Sequence, residues 1–360
     1  MTTASSGANS RAAAVTTGDW RAAAIAMLPV RVIQGFIYWG GGSRRFIYAP
    51  AKLDPNAPSW MANKLQSAMP GALVGLDRVI AFLLHHFWLL YAAIILFSAV
   101  ELIAGAALMA GFLTRFAALA SVGLSIALML LFGWQGGTCI DEWTMAACNL
   151  AMGATLMLAG GSAYSLDNAL LQRNPRLARR AWFRWCGGAL RLPVSESGFR
   201  RLGFASLALV LAFNIGLYAY YRGSVVTAYH GGPVSAAAHH FSLSEAAVLG
   251  DGGLRFRIAL NGGTPAVPGH VMKAEVLGAD GKVLATWGTE ALSALPASAI
   301  VNDFAYNRFA AGPFGLEAGM GAQAVVTLPP PPGGGLAAGL GEVLRITDVD
   351  GKAFLGALAA

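Results

Sequence analysis

Apolar runs long enough to cross a bilayer occupy most of the first two thirds of the chain. Residues 87–112, 116–134, 143–164 and 203–221 each supply about the 20 apolar positions that a spanning helix needs, and the first of these holds one charge, Glu101. A fifth run, 22–43, qualifies despite Arg31. Residues 65–86, LQSAMPGALVGLDRVIAFLLHH, are apolar but broken by Pro70, Asp77 and Arg78. That interruption predicts an interfacial or re-entrant helix and not a sixth span. Beyond Tyr221 the period changes to two, in LRFRIAL (254–260), KAEVLGADGKVLATW (273–287), AQAVVTLP (322–329) and EVLRITDVDGKAF (342–354). Alternation broken by Asp-Gly predicts antiparallel strands in tight hairpins, and the length of the tail suits an immunoglobulin-like β-sandwich. PPPPGGG (329–335) reads as a loop between strands.

Composition supports the membrane reading. The 360 residues are 56% hydrophobic and 12% charged, whereas a soluble domain has about 25% charged residues. The net charge of +7 sits largely beside apolar spans, where it reports topology, so nucleic acid is set aside as a partner. Residues 165–201 hold eight Arg against one Asp and one Glu, which places them in the cytoplasm by the positive-inside rule. Alternation then puts the N-terminus and Arg115 inside, and 49–86, 133–142 and the tail after Tyr221 outside, the periplasm if the membrane is a bacterial inner membrane. The first run contains Arg31 and is followed by no small-residue cleavage site, so it reads as an uncleaved span.

The predicted organisation is therefore a polar, disordered tail (1–21), a four-helix transmembrane domain (22–172), an arginine-rich cytoplasmic linker (173–202), a fifth, anchoring span (203–222) and a periplasmic β-sandwich (223–360). Three cysteines with no C-x-x-C provide no iron–sulfur or c-type haem ligands, and no span contains the His needed for haem b. His230, His239 and His240 lack trustworthy copper or zinc spacing, so no haem, flavin or metal is expected.

Several separated stretches resemble one family. RVIQGFIYWGGGSRR, YAPAKLDPNAPSW, VELIAGAALMAGFLTR and GWQGGTCIDEWTMAACN are similar to DoxD, taken as the large hydrophobic subunit of thiosulfate:quinone oxidoreductase in the DoxX-like superfamily. NDFAYNRFAAGPFGLEAGMGAQAVVTLP (302–329) resembles its partner DoxA. The chain from about residue 22 to 355 thus looks like a DoxD–DoxA fusion. The resemblance implies a DoxX-like four-helix bundle, and oxidation of thiosulfate to tetrathionate outside the membrane with electrons passed to membrane quinone, a substrate and not a bound cofactor. The rival readings are a non-catalytic accessory subunit of a respiratory complex, such as one built on a terminal oxidase, and a transporter of sulfur oxyanions. A homo-oligomer is compatible with each.

Candidate residues follow from that chemistry. A charge at the centre of a span costs roughly 2.5–3.5 kcal/mol and survives when paired or functional. Arg31 and Glu101 are about 14 and 16 Å from the inner face at about 1.5 Å per residue, depths at which the two could meet. Their open roles are an ion pair clamping two spans, or a proton and quinone-headgroup site. Cys139, in the turn before the fourth span, is either a thiolate that attacks or carries sulfur, or a small half-buried residue. Asp141 and Glu142 repel a dianion, which leaves proton acceptance, pairing with a basic group, or, for Asp141, an N-cap. A disulfide from Cys139 to Cys148 is not expected, since a straight helix separates them by about 10 Å or more. Arg44, Arg45 and Lys52 form the candidate anion site, because arginine forks onto paired oxygens, while Lys64 reads as a surface anchor. His85 and His86 are quinone contacts or interfacial residues. Trp143 belongs to an aromatic belt and is also a candidate headgroup contact.

Overall fold

The structure, a computed structural model, describes residues 17–135, 142–222, 240–332, 334–337, 339 and 341–359. The helices are α1 (Thr17–Ser43), α2 (Met61–Ala68), α3 (Leu76–His85), α4 (Phe87–Ala110), α5 (Thr114–Phe132), α6 (Glu142–Ala159), α7 (Leu166–Arg173), α8 (Ala181–Cys186) and α9 (Glu196–Arg222), with α10 (Thr289–Ser293) later in the chain. Among the described residues four are long and apolar enough to cross a membrane: Ala22–Tyr48, Phe87–Ala110, Thr114–Gln135 and Glu196–Tyr221. The chain is a membrane protein with helical spans. α1 opens at Thr17 and so takes in the last five residues of the stretch read as a disordered tail.

The span expected over 143–164 is shorter than its apolar run. α6 ends at Ala159 because Gly160 takes the left-handed conformation (φ +73°) that stops a helix at its C-terminus, leaving 18 described residues, at the short end of the range that spans a bilayer. α9 starts before residue 203, because the Ser195 hydroxyl accepts from Gly198 N at 3.1 Å and caps its first turn. The segment between the first two spans folds as α2 and α3 separated by a turn at Met69–Gly71, and neither is a candidate span.

The chain divides into two compact units. The first comprises the described part of Met1–Gly42, Val100–Gly123 and Asn149–Leu207. Here α1, α4, α5 and α6 pack as a four-helix core in which Leu108, Ala117, Ala118 and Leu156 are buried with Met27 and Val30 against them. α1 and α4 lie close enough that side chains are excluded: a Cβ on Gly105 would stand 2.2 Å from Trp39 N, and one on Gly42 2.6 Å from Leu102 N. Two charges tie the turns at one end of these helices. Buried Asp167 accepts from Leu113 N, Thr114 N, Thr114 Oγ1 and Gly188 N at 2.7–3.0 Å, and Arg115 donates to Met157 O, Gly187 O and Leu190 O at 2.7–3.1 Å.

The second unit comprises Ser43–Ala99, Leu124–Cys148 and Ala208–Ala360. Its helical core gathers Trp60, Ile80, Leu84, Leu90, Ile94 and Phe132 with Phe304 of the C-terminal portion. That portion is all-β, as expected: β1 (His240–Val248), β2 (Leu254–Gly262), β3 (Gly269–Leu277), β4 (Val283–Trp287), β5 (Ile300–Asn302), β6 (Phe309–Gly312), β7 (Gly315–Ala318), β8 (Gln323–Leu328), β9 (Val343–Asp348) and β10 (Ala353–Ala359). The strand order is β5-β8-β2-β1-β10-β9-β3-β7-β6, with β4 on β3. Among the described residues only the β1–β10 pairing is parallel. The two ends of this path come together where Asn302 Nδ2 donates to Phe309 O at 2.9 Å and Phe309 N donates to Asn302 Oδ1 at 2.7 Å, so the sheet is nearly closed. The predicted Asp-Gly hairpins are present: Gly281 and Gly351 take φ +79° and +78° between β3 and β4 and between β9 and β10.

Candidate functional site

In the second unit the candidate cations follow the end of α1. Arg44–Tyr48 forms a π-helical turn, a rare geometry that is frequent at functional sites. Arg44 is exposed. Arg45 is half-buried, with its guanidinium 5.9 Å from the centre of the Phe97 ring and Nη1 3.5 Å from Ser98 Oγ. Lys52 lies on the 3₁₀ turn Pro50–Leu53, half-buried. The Lys64 ammonium stands 5.1 Å over the Phe132 ring.

Cys139 and Asp141 lie outside the described residues. Glu142 opens α6, and Trp143 follows it with its ring edge-on to Tyr218 at 5.2 Å. The Trp143 Nε1–H is buried and has no partner among the described residues. Neighbouring aromatics are committed: Trp134 Nε1 donates to Ala68 O at 3.0 Å and the Tyr221 hydroxyl donates to Gly71 O at 2.9 Å. The Trp60 Nε1–H is likewise buried with no partner among the described residues, and of these two indoles Trp143 is the one that follows the candidate residues Asp141 and Glu142. Cys148 is exposed and free. His85 packs on Phe304 at 5.0 Å, and His86 Nδ1 lies 2.7 Å from Phe82 O.

In the first unit Arg31 and Glu101, whose depths allowed them to meet, do not do so. The Arg31 guanidinium donates to Gly161 O at 2.9 Å and to Tyr164 O at 2.7 Å, in the turn after α6. Glu101 instead lies against Gly41, where a Cβ would be 3.3 Å from its Oε2. The cause is the register of α1 on α4: Gly35 faces Met109, and Trp39 faces Gly105, so Glu101 falls about ten residues, or about 15 Å, further along α1 than Arg31. Counting depth from the ends of apolar runs missed this, since the glycines and not the run ends set the register.

Sequence reasoning also passed over the buried polar groups between these two charges. Gln34 is fully buried, and its Nε2 donates to Asn149 O at 2.7 Å and to Ser121 Oγ at 3.1 Å. The Tyr38 hydroxyl donates to Ser121 O at 2.9 Å. The signal was available as Arg31, Gln34 and Tyr38 at i, i+3 and i+7 within an apolar span, one helical face.

Residues 26–192 match the family described as TQO small subunit DoxD, and residues 236–355 match TQO small subunit DoxA. The chain joins DoxD to DoxA. The family description makes DoxD a small subunit, which corrects the large-subunit role drawn from resemblance. No solved structure matches the chain. The DoxA part is fastened to helix α2 of the DoxD part by Gln66, which is fully buried: its Nε2 donates to Asn307 O at 2.8 Å and Gly321 O at 3.1 Å, and its Oε1 accepts from Asn307 N at 2.9 Å. Asn307 Nδ2 donates in turn to Asn63 O at 2.9 Å and Met320 O at 2.6 Å. Among the described residues no group of three or more His, Cys, Asp or Glu is placed to hold a metal ion.

Proposed function

We propose that this DoxD–DoxA fusion oxidises thiosulfate to tetrathionate on the periplasmic side of a bacterial inner membrane and passes the electrons to membrane quinone. The observation that carries this reading is the presence of both TQO subunit families in one membrane chain. Thiosulfate docks on Arg44, Arg45 and Lys52, whose charges offset those of the dianion. The Cys139 thiolate bonds to its outer sulfur, and the two electrons lost in forming that S–S bond reduce quinone with uptake of two protons. A second thiosulfate then attacks the outer sulfur of the adduct, which releases tetrathionate and restores the thiolate. Asp141 and Glu142 accept the proton that the Cys139 thiol gives up in becoming the thiolate. The quinone headgroup takes a hydrogen bond from the Trp143 indole, whose buried N–H lacks a partner among the described residues. Glu101, buried in α4, supplies protons, and Arg31 lies about 15 Å away along the face of α1 that meets Glu101 at Gly41.

The test is anaerobic turnover of the purified protein with thiosulfate as sole donor and a short-chain quinone as acceptor. The reading requires tetrathionate and quinol in equal amounts, and loss of both in Cys139→Ser. Retained activity in that variant removes the covalent adduct from the scheme. No turnover with several quinones in lipid, together with co-purification of a large haem oxidase, favours the accessory-subunit reading.

A further inference from the structure

Arg31, Gln34, Tyr38 and Gly41 are spaced three, four and three residues apart, which puts them on one face of α1. The side chains of Arg31, Gln34 and Tyr38 are 5%, 0% and 3% exposed, so this face runs inside the bundle. One end lies at the turn after α6, where Arg31 donates to Gly161 O and Tyr164 O, and the other lies at Glu101 beside Gly41. Between them, Gln34 and Tyr38 reach Ser121 and the backbone of Asn149. Arg31 Nε and Gln34 Oε1 are both buried and have no partner among the described residues. One is a donor and the other an acceptor, and they stand one helical turn apart. Buried water typically bridges such pairs, because each end then keeps the hydrogen bond that burial would otherwise cost it.

We propose that this face is a hydrated proton path leading from the Gly161–Tyr164 turn to Glu101. The inference rests on the thiosulfate:quinone reading and adds a direction to it. Two thiosulfates joined by one S–S bond release two electrons and no proton, whereas quinone needs two electrons and two protons to become quinol. The protons must therefore enter from water, and the path assigns them to the membrane face that carries the arginine-rich segment after Tyr164. Electrons enter from the opposite face, so turnover separates charge across the membrane. Arg31, whose Nη atoms are held by two carbonyls, orients the bridging water through Nε. Gln34 is a positioning residue that accepts from that water and donates onward to Ser121, and Glu101 hands the proton to quinone.

The experiment uses the full-length protein in sealed liposomes with a pH dye in the lumen, a short-chain quinone, and a protease-cleavable tag inserted after Asn174 to report which face the arginine-rich segment occupies. The expected result is alkalinisation of the compartment facing that tag, two protons per quinol, and faster turnover when an ionophore collapses the membrane potential. Alkalinisation of the other compartment overturns the proposal. Gln34→Leu is expected to lower kcat about tenfold or more with the thiosulfate KM unchanged, and Gln34→Glu, which keeps an acceptor, to restore part of it. Full kcat in a folded Gln34→Leu protein also overturns the path. Absence of quinol in every preparation overturns the underlying reading, and this inference with it.

Discussion

Gln66 and Asn307, 241 residues apart in the chain, bind each other twice: Gln66 Nε2 donates to Asn307 O at 2.8 Å, and Asn307 N donates to Gln66 Oε1 at 2.9 Å. One buried side chain thereby satisfies both backbone groups of Asn307, in the loop before β6, and Gly321 O as well. Gln66→Ala leaves buried donors and acceptors unmade, at about 1–3 kcal/mol each. The expected outcome is faster amide hydrogen exchange across Asn302–Gly321 of the full-length protein, with exchange in β9 and β10 unchanged. Equal protection in the variant would mean that the apolar contacts around Phe304 suffice to hold this loop.

Arg45 is half-buried, as Lys52 is, and is the arginine of the candidate anion site that packs on Phe97. Arg45→Ala is expected to raise the thiosulfate KM about 10- to 100-fold, the equivalent of one charge-assisted hydrogen bond of about 1.5–3 kcal/mol. Arg45→Lys should recover only part, because an ammonium cannot fork onto two oxygens. Steady-state kinetics at fixed ionic strength makes the comparison, since salt screens both substrate and site.

Trp143→Phe removes the indole N–H and keeps an aromatic ring against Tyr218. The account expects the quinone KM to rise several-fold with the thiosulfate KM unchanged. If both constants stay at wild-type values, the indole N–H has no part in headgroup binding.

Glu275 and Arg345 face each other across β3 and β9, with Arg345 Nη2 2.8 Å from Glu275 Oε2 and Lys273 Nζ 3.1 Å from Oε1. Burial raises the Glu275 carboxyl, but the hydrogen bonds and charges of Lys273 and Arg345 outweigh it and hold the group below its usual value. A depressed carboxyl stabilises the fold above the unfolded value, about pH 4.3, and that contribution is lost as pH falls through the folded value. Glu275→Gln should therefore destabilise the strands by about 1–3 kcal/mol at neutral pH and flatten their acid sensitivity. Hydrogen exchange in Val271–Leu277 and Val343–Asp348 between neutral and acid pH reads both effects.

Much of the fold is written in local pattern. Apolar runs locate the helices, and period-two alternation with Asp280-Gly281 and Asp350-Gly351 locates two hairpins, because these signals act within a few residues. What the pattern does not carry is where elements meet. The end of α6 depends on the backbone of Gly160, and the separation of Arg31 from Glu101 depends on Gly35, Gly42 and Gly105 letting α1 and α4 approach in one register. The Gln66–Asn307 clamp joins a helix to a loop far along the chain, so neither residue is conspicuous alone. Gln34 was legible in principle, as a polar residue in an apolar span on the face of Arg31, but its depth in the core appears only with the bundle assembled.

The central claim is tested most directly by adding thiosulfate to the purified, full-length protein with a quinone and no other donor, and following both products. The account predicts one tetrathionate and one quinol for every two thiosulfates consumed. Thiosulfate left intact, with quinone unreduced across several quinones in lipid, would contradict it.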